Sequence, residues 1–334
     1  MESTLRTSKN VVPMDMAHAS LAGFEIAVIL PCYNEEAAIG AVVEGFRREL
    51  PQARIYVYDN NSKDKTSQVA AAAGAIVRSE TLQGKGNVVR RMFADVDADI
   101  YLMCDGDITY DAASAPALIA KLIEDNLDMV VGCRVDSEAA AYRAGHRFGN
   151  ALFTGFVANL FGNRFTDILS GYRAFSRRYV KSFPALSNGF EIETELTVHA
   201  LQLRMPIGEL NTPYGARLEG STSKLSTYRD GFRILMMITK LFKNERPLFF
   251  FTIIFGLLAL LSLGLSFPLL LTYLETGLVP RLPTAVLAAS TMLLAFLALT
   301  CGLILDTVTH GRRELKRLAY LTVPSVGAML GKRS

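Results

Sequence analysis

Short apolar runs alternate with amphipathic segments over the first part of the chain. The runs predict strands buried on both faces of a sheet, at 26–30, 55–58, 75–77, 100–104 and 129–133. The segments between them predict helices at about 34–50, 64–73, 84–94 and 113–124, the first of them capped by Asn34. Strands and helices that alternate in this way indicate an α/β domain with a mostly parallel sheet.

The pattern changes after residue 147, where helices and loops replace the alternation. An acidic stretch at 191–195 predicts a helix start, and 206–211 predicts an edge strand. From 225 to 242, apolar residues recur every three or four positions while basic residues fall on another face. This pattern is typical of an interfacial helix on anionic lipid headgroups, although a helix packed on the domain with a solvated basic face shows it too.

Two stretches near the C-terminus, 248–273 and 282–305, contain no charged residue. Each exceeds the roughly 20 residues needed to cross a bilayer, so we predict two transmembrane helices rather than buried helices of a soluble core. Basic residues flank the outer ends of the pair: Lys240, Lys243, Arg246, Arg312, Arg313, Lys316 and Arg317. The positive-inside rule therefore predicts an integral membrane protein with its main domain and both termini in the cytoplasm.

Composition agrees with a chain that lies partly in lipid, since 50% of its 334 residues are hydrophobic and 20% are charged. The formal net charge of +3 is too small to indicate nucleic-acid binding. The cysteines show no metal-site spacing and indicate reduced packing residues: Cys32, Cys104, Cys133 and Cys301.

The predicted organisation has five parts. A flexible arm at 1–23, which lacks a signal-peptide pattern, precedes the α/β domain at 24–222. An amphipathic juxtamembrane helix follows at 223–246, then the two membrane helices at 247–306 and a cytoplasmic tail at 307–334. Two spans are few for an isolated bundle, which favours self-association in the membrane.

Paired acids follow the fourth predicted strand, at Asp105-Gly106-Asp107. Ligands of parallel sheets bind beyond the carboxyl ends of the strands, which is where these carboxylates would lie. Carboxylates at i and i+2 can converge on one Mg²⁺ or Mn²⁺ ion that bridges to substrate phosphates. The same tripeptide occurs in plain turns, but its position directly after a buried strand favours a metal and diphosphate site.

Other polar residues are candidates for the same edge of the sheet. Asp59 ends a neighbouring strand, where it could accept hydrogen bonds from a nucleobase or serve only as a solvated turn acid. Basic residues that converged on one cleft would neutralise a diphosphate and a second phosphate: Lys85, Arg134, Arg147, Arg173 and Lys224. Neither GxGxxG nor GxxxxGK[ST] is present in the sequence, which argues against a hydride-transfer dinucleotide fold and a P-loop ATPase.

These stretches together resemble family 2 glycosyltransferases, and most closely the polyprenyl- or dolichyl-phosphate sugar synthase branch. The matching motifs occur in the family's order: ILPCYNEE at 29–36, DNNSKDKT at 59–66, GKG at 84–86, DGD at 105–107, SGYR at 170–173 after Asp167, and GSTSKL at 220–225. Asn60 and Asn61 depart from the Asp-Gly often found there, and Thr109 stands where many members have glutamine.

The resemblance implies a Rossmann-like GT-A fold, a nucleotide-sugar donor, a divalent metal and inversion at the anomeric carbon. It places Pro31, Tyr33, Glu35 and Asp59 in the nucleoside pocket with Lys85 nearby. It assigns Asp105 and Asp107 to diphosphate and to Mg²⁺ or Mn²⁺. Four residues would bind donor and acceptor phosphates: Arg134, Arg147, Arg173 and Lys224. Asp167 or Glu193 would orient the acceptor or the sugar.

The expected activity is inverting transfer of a hexose from a UDP- or GDP-sugar to polyprenyl or dolichyl phosphate on the cytoplasmic face of the membrane. A phosphate monoester is largely dianionic near neutral pH, so it can attack the sugar without a general base. Two alternatives stay open: transfer to a lipid or glycan hydroxyl, and a non-catalytic membrane adaptor that binds a nucleotide sugar. A processive synthase is disfavoured, because its QxxRW motif needs tryptophan and the chain has none.

Overall fold

The computed structural model describes residues 21, 23–136, 155, 166–189, 191–215, 236 and 238–333 of the chain. Contacts divide the chain into two compact units, one formed by 1–227 with 316–334 and the other by 228–315. Most of the predicted arm at 1–23 and most of the juxtamembrane helix at 223–246 lie outside the described residues, although Leu21 is buried in the core of the first unit and 238–245 are helical.

A mixed sheet of seven strands forms the centre of the first unit, counted over the described residues. The strands are β1 Ile26–Cys32, β2 Arg54–Asp59, β3 Ile76–Ser79, β4 Ile100–Met103, β5 Met129–Asp136, β6 Arg173–Ser176 and β7 Ile207–Tyr214. Their spatial order is β3-β2-β1-β4-β6-β5-β7, and every neighbouring pair is parallel except the two that involve β6. The five strands predicted from apolar runs and the edge strand near 206–211 are therefore confirmed, as is the mostly parallel α/β class.

The antiparallel strand β6 was not expected, because 147–190 was predicted as helices and loops. Its four residues begin with Arg173 and are all buried between β4 and β5. A run this short that starts with a charged residue carries no strand signal in its own sequence. The flanking strands supply its hydrogen bonds.

Helices cover the sheet and extend beyond it. In chain order they are α1 Ile39–Glu49, α2 Thr66–Ala72, α3 Lys85–Asp95, α4 Ala115–Glu124, α5 Arg177–Ser182, α6 Ile192–Gln202, α7 Pro247–Thr276, α8 Leu282–Leu321 and α9 Val326–Arg333. The predicted start of α1 at Asn34 is wrong, since that residue has a φ of 54° and sits in a turn. The first α1 amide, on Ile39, bonds to the Glu35 carbonyl instead.

The core of the first unit lies between the sheet and its helices. All of β1 is buried, and Val43 and Phe46 of α1 and Leu118 and Leu122 of α4 belong to the same apolar cluster. Burying a side chain of this size contributes roughly 1.5–3 kcal/mol each, so this face fixes the sheet in place. The helices cover the faces of the sheet, and the polar residues lie beyond the carboxyl ends of β1, β2 and β4.

The C-terminal segment from Lys316 onward belongs to the first unit and packs on it. The Tyr320 hydroxyl donates to buried Asp128 at 2.7 Å, directly before β5. Val326 is buried in the same apolar cluster, and the Gly327 amide donates to Asn126 at 2.9 Å. The later part of the predicted tail therefore packs against the α/β domain.

The second unit contains α7 and most of α8, two long apolar helices. α7 has 30 residues and α8 has 40, about 45 and 60 Å at 1.5 Å per residue. Both contain the predicted spans, and both are long and apolar enough to cross a membrane, judged by length and composition alone. Within the unit, the Ser262 hydroxyl of α7 donates to the Ala288 carbonyl of α8 at 2.7 Å.

Candidate active site

The carboxyl ends of β1 and β2 bring the predicted nucleoside-pocket residues together. Cys32 at the end of β1 is paired in register with Asp59 at the end of β2. Pro31 is buried in β1, and Tyr33 and Glu35 follow in the next turn, where the Glu35 amide donates to Thr66 at 2.9 Å. The parallel register thus gathers residues from two distant motifs at one edge.

Asp59 is held in a fixed orientation by its own loop. One carboxylate oxygen accepts from the Ser62 amide at 3.0 Å, and the other accepts from the Ser67 hydroxyl at 2.7 Å. A carboxylate has about four acceptor positions, so these two bonds orient the group without using its full capacity.

The departure from the family pattern at Asn60 has a structural explanation. Its buried side-chain amide donates to the carbonyls of Glu80 and Leu82 at 2.9 and 2.8 Å and accepts from the Gly84 amide at 2.7 Å. An ionised aspartate accepts but cannot donate, so it could not make the first two bonds. Asn60 therefore fastens the 80–84 loop, which leads into α3.

Lys85, the first residue of α3, lies between two acidic residues. Its ammonium is 2.5 Å from an oxygen of Asp105 and 2.5 Å from an oxygen of Glu193. Burial by itself would lower the pKa of Lys85, but attraction to these two carboxylates outweighs it and raises the pKa above the ordinary value. The lysine therefore stays charged beside the predicted diphosphate site.

Asp105 and Asp107 lie just beyond the end of β4. Asp107 is buried and accepts from the Thr109 hydroxyl at 2.6 Å, so the threonine that replaces the family's glutamine orients this carboxylate. Gly106 between them is required for space, because a Cβ there would sit 2.5 Å from the Cys32 sulfur. Gly171 approaches Asp105 equally closely, since a Cβ added at residue 171 would lie 2.5 Å from an oxygen of the Asp105 carboxylate.

The two carboxylates fit a hard divalent cation. Over the described residues, no group of three or more His, Cys, Asp or Glu side chains is placed to hold a metal. Mg²⁺ and Mn²⁺ suit an oxygen-rich site, and Mg²⁺ in particular often takes one or two carboxylates and completes its shell with water and phosphate oxygens. The donor set at 105 and 107 has that character.

Arg134, near the end of β5, forms a two-pronged ion pair with Asp167. The guanidinium nitrogens lie 2.7 and 2.8 Å from the two carboxylate oxygens, and the guanidinium also lies 5.5 Å from the centre of the Tyr214 ring. Burial would raise the pKa of Asp167, but the bonds and charge of Arg134 outweigh it and lower that pKa. Asp167 thus orients Arg134 directly.

The predicted phosphate-binding role of Arg173 needs correction. Its side chain is 0% exposed, and its guanidinium donates to the carbonyls of Ser170 and Ile168 and to the Thr197 hydroxyl. A guanidinium committed to these interior acceptors cannot reach a phosphate, so Arg173 instead fixes the turn that precedes β6. Arg147 and Lys224 lie outside the described residues.

Some residues around the site were missed from the sequence. Glu209 of β7 accepts from the Thr166 amide at 2.7 Å and from its hydroxyl at 3.0 Å, and so holds the loop that carries Asp167. The Tyr110 hydroxyl accepts from the Gly171 amide at 2.9 Å and fixes that glycine against Asp105. Neither residue lies in a motif, and only their position in the folded chain reveals these contacts.

The cysteines near the site are packing residues, as predicted. Cys32, Cys104 and Cys133 are free and buried. Burial raises the pKa of the Cys32 and Cys104 thiols well above the ordinary value, and the nearby carboxylates add to the effect. Both thiols stay protonated, so neither is suited to act as a nucleophile.

Comparison with known proteins identifies the family. The model described as glycosyl transferase family 2 matches residues 27–183. Glycosyltransferase AglJ of Haloferax volcanii is 32% identical over 299 residues, which cover 89% of this chain and 98% of that protein. The chain belongs to glycosyltransferase family 2. The predicted family is confirmed, and the protein is a glycosyltransferase.

Other relatives of this glycosyltransferase support the predicted branch and fold. A dolichyl-phosphate hexose transferase of Haloferax volcanii is 29% identical over 222 residues, which cover 66% of this chain and 96% of that protein. The crystal structure of glucosyl-3-phosphoglycerate synthase from Mycobacterium tuberculosis matches with a TM-score of 0.59 at 24% identity, covering 71% of this chain and 85% of that one. The GT-A-like fold is therefore confirmed.

Proposed function

We propose that this glycosyltransferase moves a hexose, with inversion, from a UDP- or GDP-sugar to polyprenyl or dolichyl phosphate at the cytoplasmic face of the membrane. The observation that carries the proposal is the cluster of Asp105, Asp107 and Lys85 at the carboxyl end of β4. Two helices long and apolar enough to cross a membrane, and a relative named for dolichyl phosphate, support a lipid acceptor.

The donor is assigned to the edge formed by β1, β2 and β4. Four residues bind the nucleoside: Pro31, Tyr33, Glu35 and Asp59. Asp105 and Lys85 face the diphosphate, and Asp105 with Asp107 would hold Mg²⁺ or Mn²⁺. When bound, such an ion neutralises charge on the departing nucleotide diphosphate. Crystals of the mycobacterial synthase contain Mn²⁺ with UDP-glucose, which supports this cofactor class.

The acceptor phosphate is assigned to Arg134, oriented by Asp167. Arg147 and Lys224 remain predicted partners of the phosphates. The acceptor brings its own negative charge, so the reaction needs electrostatic stabilisation more than a proton acceptor. The protonated cysteines beside the site agree with a mechanism that uses no side-chain nucleophile.

A transfer assay with radiolabelled UDP- and GDP-hexoses tests the proposal. Purified protein with Mn²⁺ or Mg²⁺ should label polyprenyl phosphate and leave a polyprenol of the same length unlabelled. Asp107→Asn preserves the shape that accepts from Thr109 but removes the charge, and should abolish transfer. Asp125→Asn, which disturbs only an exposed pair with Lys121, is the matched control.

Two outcomes would favour the alternatives. Labelling of the alcohol or a glycan, with the lipid phosphate untouched, would indicate a hydroxyl acceptor. Donor binding without any product, across the hexoses and both lipids, would indicate an adaptor. Full activity of Asp107→Asn would overturn the metal assignment.

The proposal includes membrane insertion through α7 and α8, with both termini in the cytoplasm and self-association in the bilayer. Basic residues before α7 and in the last part of α8 support the orientation, whereas the turn between the helices carries few charges. A cysteine introduced at Glu275 in a Cys301→Ser background should react with an impermeant maleimide outside intact cells. Reaction only from the cytoplasmic side would overturn the orientation.

A further inference from the structure

The loop at 185–189, here called the strap, lies directly over the start of α3. A Cβ on Gly84 would overlap the Asn188 carbonyl, and a Cβ on Gly86 would overlap the Ser187 carbonyl. Glycine is therefore needed on both sides of Lys85 so that the strap can pack against the backbone there. This close packing explains the Gly-Lys-Gly sequence, which does not belong to a P-loop.

The strap is fastened from α6. Glu195 accepts from the Leu186 amide at 2.9 Å and from the Ser187 amide at 2.7 Å. Two residues earlier on the same helix, Glu193 reaches the Lys85 ammonium at 2.5 Å. The start of α6 thus fixes both the strap and the lysine beneath it.

The two acidic partners of Lys85 differ in exposure. The Asp105 side chain is 29% exposed and ends at the predicted donor site, whereas the Glu193 side chain is 7% exposed. A ligand that draws Asp105 away would leave Lys85 with Glu193. Without that second carboxylate, the enclosed ammonium would be a poorly compensated buried charge, which is costly.

We propose that Glu193 is a positioning residue that keeps the Lys85 ammonium beside the donor diphosphate when Asp105 turns to a divalent cation. This inference rests on the proposed function, because it takes the β4 edge as the donor site. It gives Glu193 a role that acts through Lys85, in place of the predicted contact with acceptor or sugar. Glu193 and Asp105 then share the lysine in the free enzyme, and Glu193 keeps it in the loaded one.

Binding of nucleoside diphosphates and monophosphates to the full chain in detergent tests the inference. The probes are UDP against UMP and GDP against GMP, each with Mn²⁺, measured by calorimetry. A charge-assisted hydrogen bond is commonly worth about tenfold in affinity or more. Glu193→Gln should therefore weaken diphosphate binding about tenfold and leave monophosphate binding unchanged.

A second readout needs no nucleotide. In Glu193→Gln, Lys85 keeps Asp105 as its carboxylate partner but loses Glu193. Lys85 then holds Asp105 more strongly and competes with the cation for the Asp105 carboxylate. The variant should bind Mn²⁺ several-fold more weakly, measured from the free-ion signal in electron paramagnetic resonance. Lys85→Gln should bind Mn²⁺ more tightly than the unaltered protein.

Glu195→Gln is the matched control, because it weakens the strap but leaves the Glu193 to Lys85 pair in place. It should keep the diphosphate preference of the unaltered protein. If Glu193→Gln does not fold, Glu193→Asp replaces it, since the shorter side chain retracts from Lys85 and should give a smaller loss of that preference.

The outcomes separate the two proposals. Unaltered protein that binds diphosphates no better than monophosphates would contradict the donor site itself, and with it the proposed function. If the unaltered protein clearly prefers diphosphates and Glu193→Gln or Glu193→Asp retains that preference in full, the proposed role of Glu193 is overturned. The proposed function is unaffected by that result.

Discussion

Asp105 leaves no room for a side chain at residue 171, so Gly171→Ala tests the candidate donor site without replacing any of its charged residues. The added Cβ would lie 2.5, 2.9 and 3.0 Å from three atoms of the Asp105 carboxylate, whereas ordinary contact begins at 3.4 Å. The φ of Gly171 is not in the left-handed region, so alanine is tolerated by the backbone itself. The carboxylate is the group that must move.

The expected displacement of Asp105 is about 1 Å, from the shortfall in contact distance. A misplacement of about 1 Å in a reacting site can cost about 100-fold in rate. Gly171→Ala should therefore lower kcat/KM for sugar transfer about 100-fold and weaken the binding of Mn²⁺. The ion pair between Asp105 and Lys85 should weaken in the same variant.

The assay is steady-state transfer of radiolabelled hexose to polyprenyl phosphate at several Mn²⁺ concentrations. Gly215→Ala is the control, because its Cβ would meet the Thr109 carbonyl at an ordinary 3.9 Å. Circular dichroism and thermal unfolding show whether each variant keeps the fold. Gly171→Ala with unchanged kcat/KM and unchanged Mn²⁺ dependence would refute the placement of Asp105 in the site.

Two further predictions concern stability. Burial, with a smaller effect of the Lys316 charge, lowers the pKa of His199 from 6.5 to about 3. As the pH falls below 6.5, the unfolded chain therefore binds a proton at this histidine, whereas the folded chain does not. Stability should drop by about 2 kcal/mol between pH 8 and pH 5, and urea unfolding of His199→Gln should show a flatter profile; an equal slope in both proteins would contradict this. Tyr320→Phe removes a hydroxyl from buried Asp128 and should cost about 1–2 kcal/mol in urea unfolding, whereas Tyr273→Phe at an exposed position should cost almost nothing.

The sequence was informative where a single segment decides its own structure. Continuous apolar runs identified β1 to β5. The runs at 26–30, 55–58, 100–104 and 129–133 are buried, as a strand covered on both faces requires, whereas β3 is a largely exposed edge strand. The position of the paired acids after β4 was also predictable, because chain direction in a parallel sheet fixes the edge at which the residues after a strand lie. Uncharged stretches likewise identified α7 and α8.

Arg173 is a residue for which reasoning from local sequence gave the wrong role. An arginine after a glycine and a tyrosine looks like a surface ligand, yet the residue starts a strand that exists only because β4 and β5 flank it. The interior acceptors that satisfy its guanidinium come from segments up to 44 residues away, at Met129. No local pattern encodes those partners.

The amino-acid sequence by itself determined the family, the order of the elements as far as β5 and the acids at the end of β4, because each follows from residues that are neighbours in the chain. Tertiary structure decided which groups these residues meet: Glu193 against Lys85, Asp167 against Arg134, Gly171 against Asp105, and Tyr320 against Asp128. Such contacts join segments that are from 33 to 192 positions apart. Packing of the sheet and its helices sets them, so they cannot be read from either segment alone.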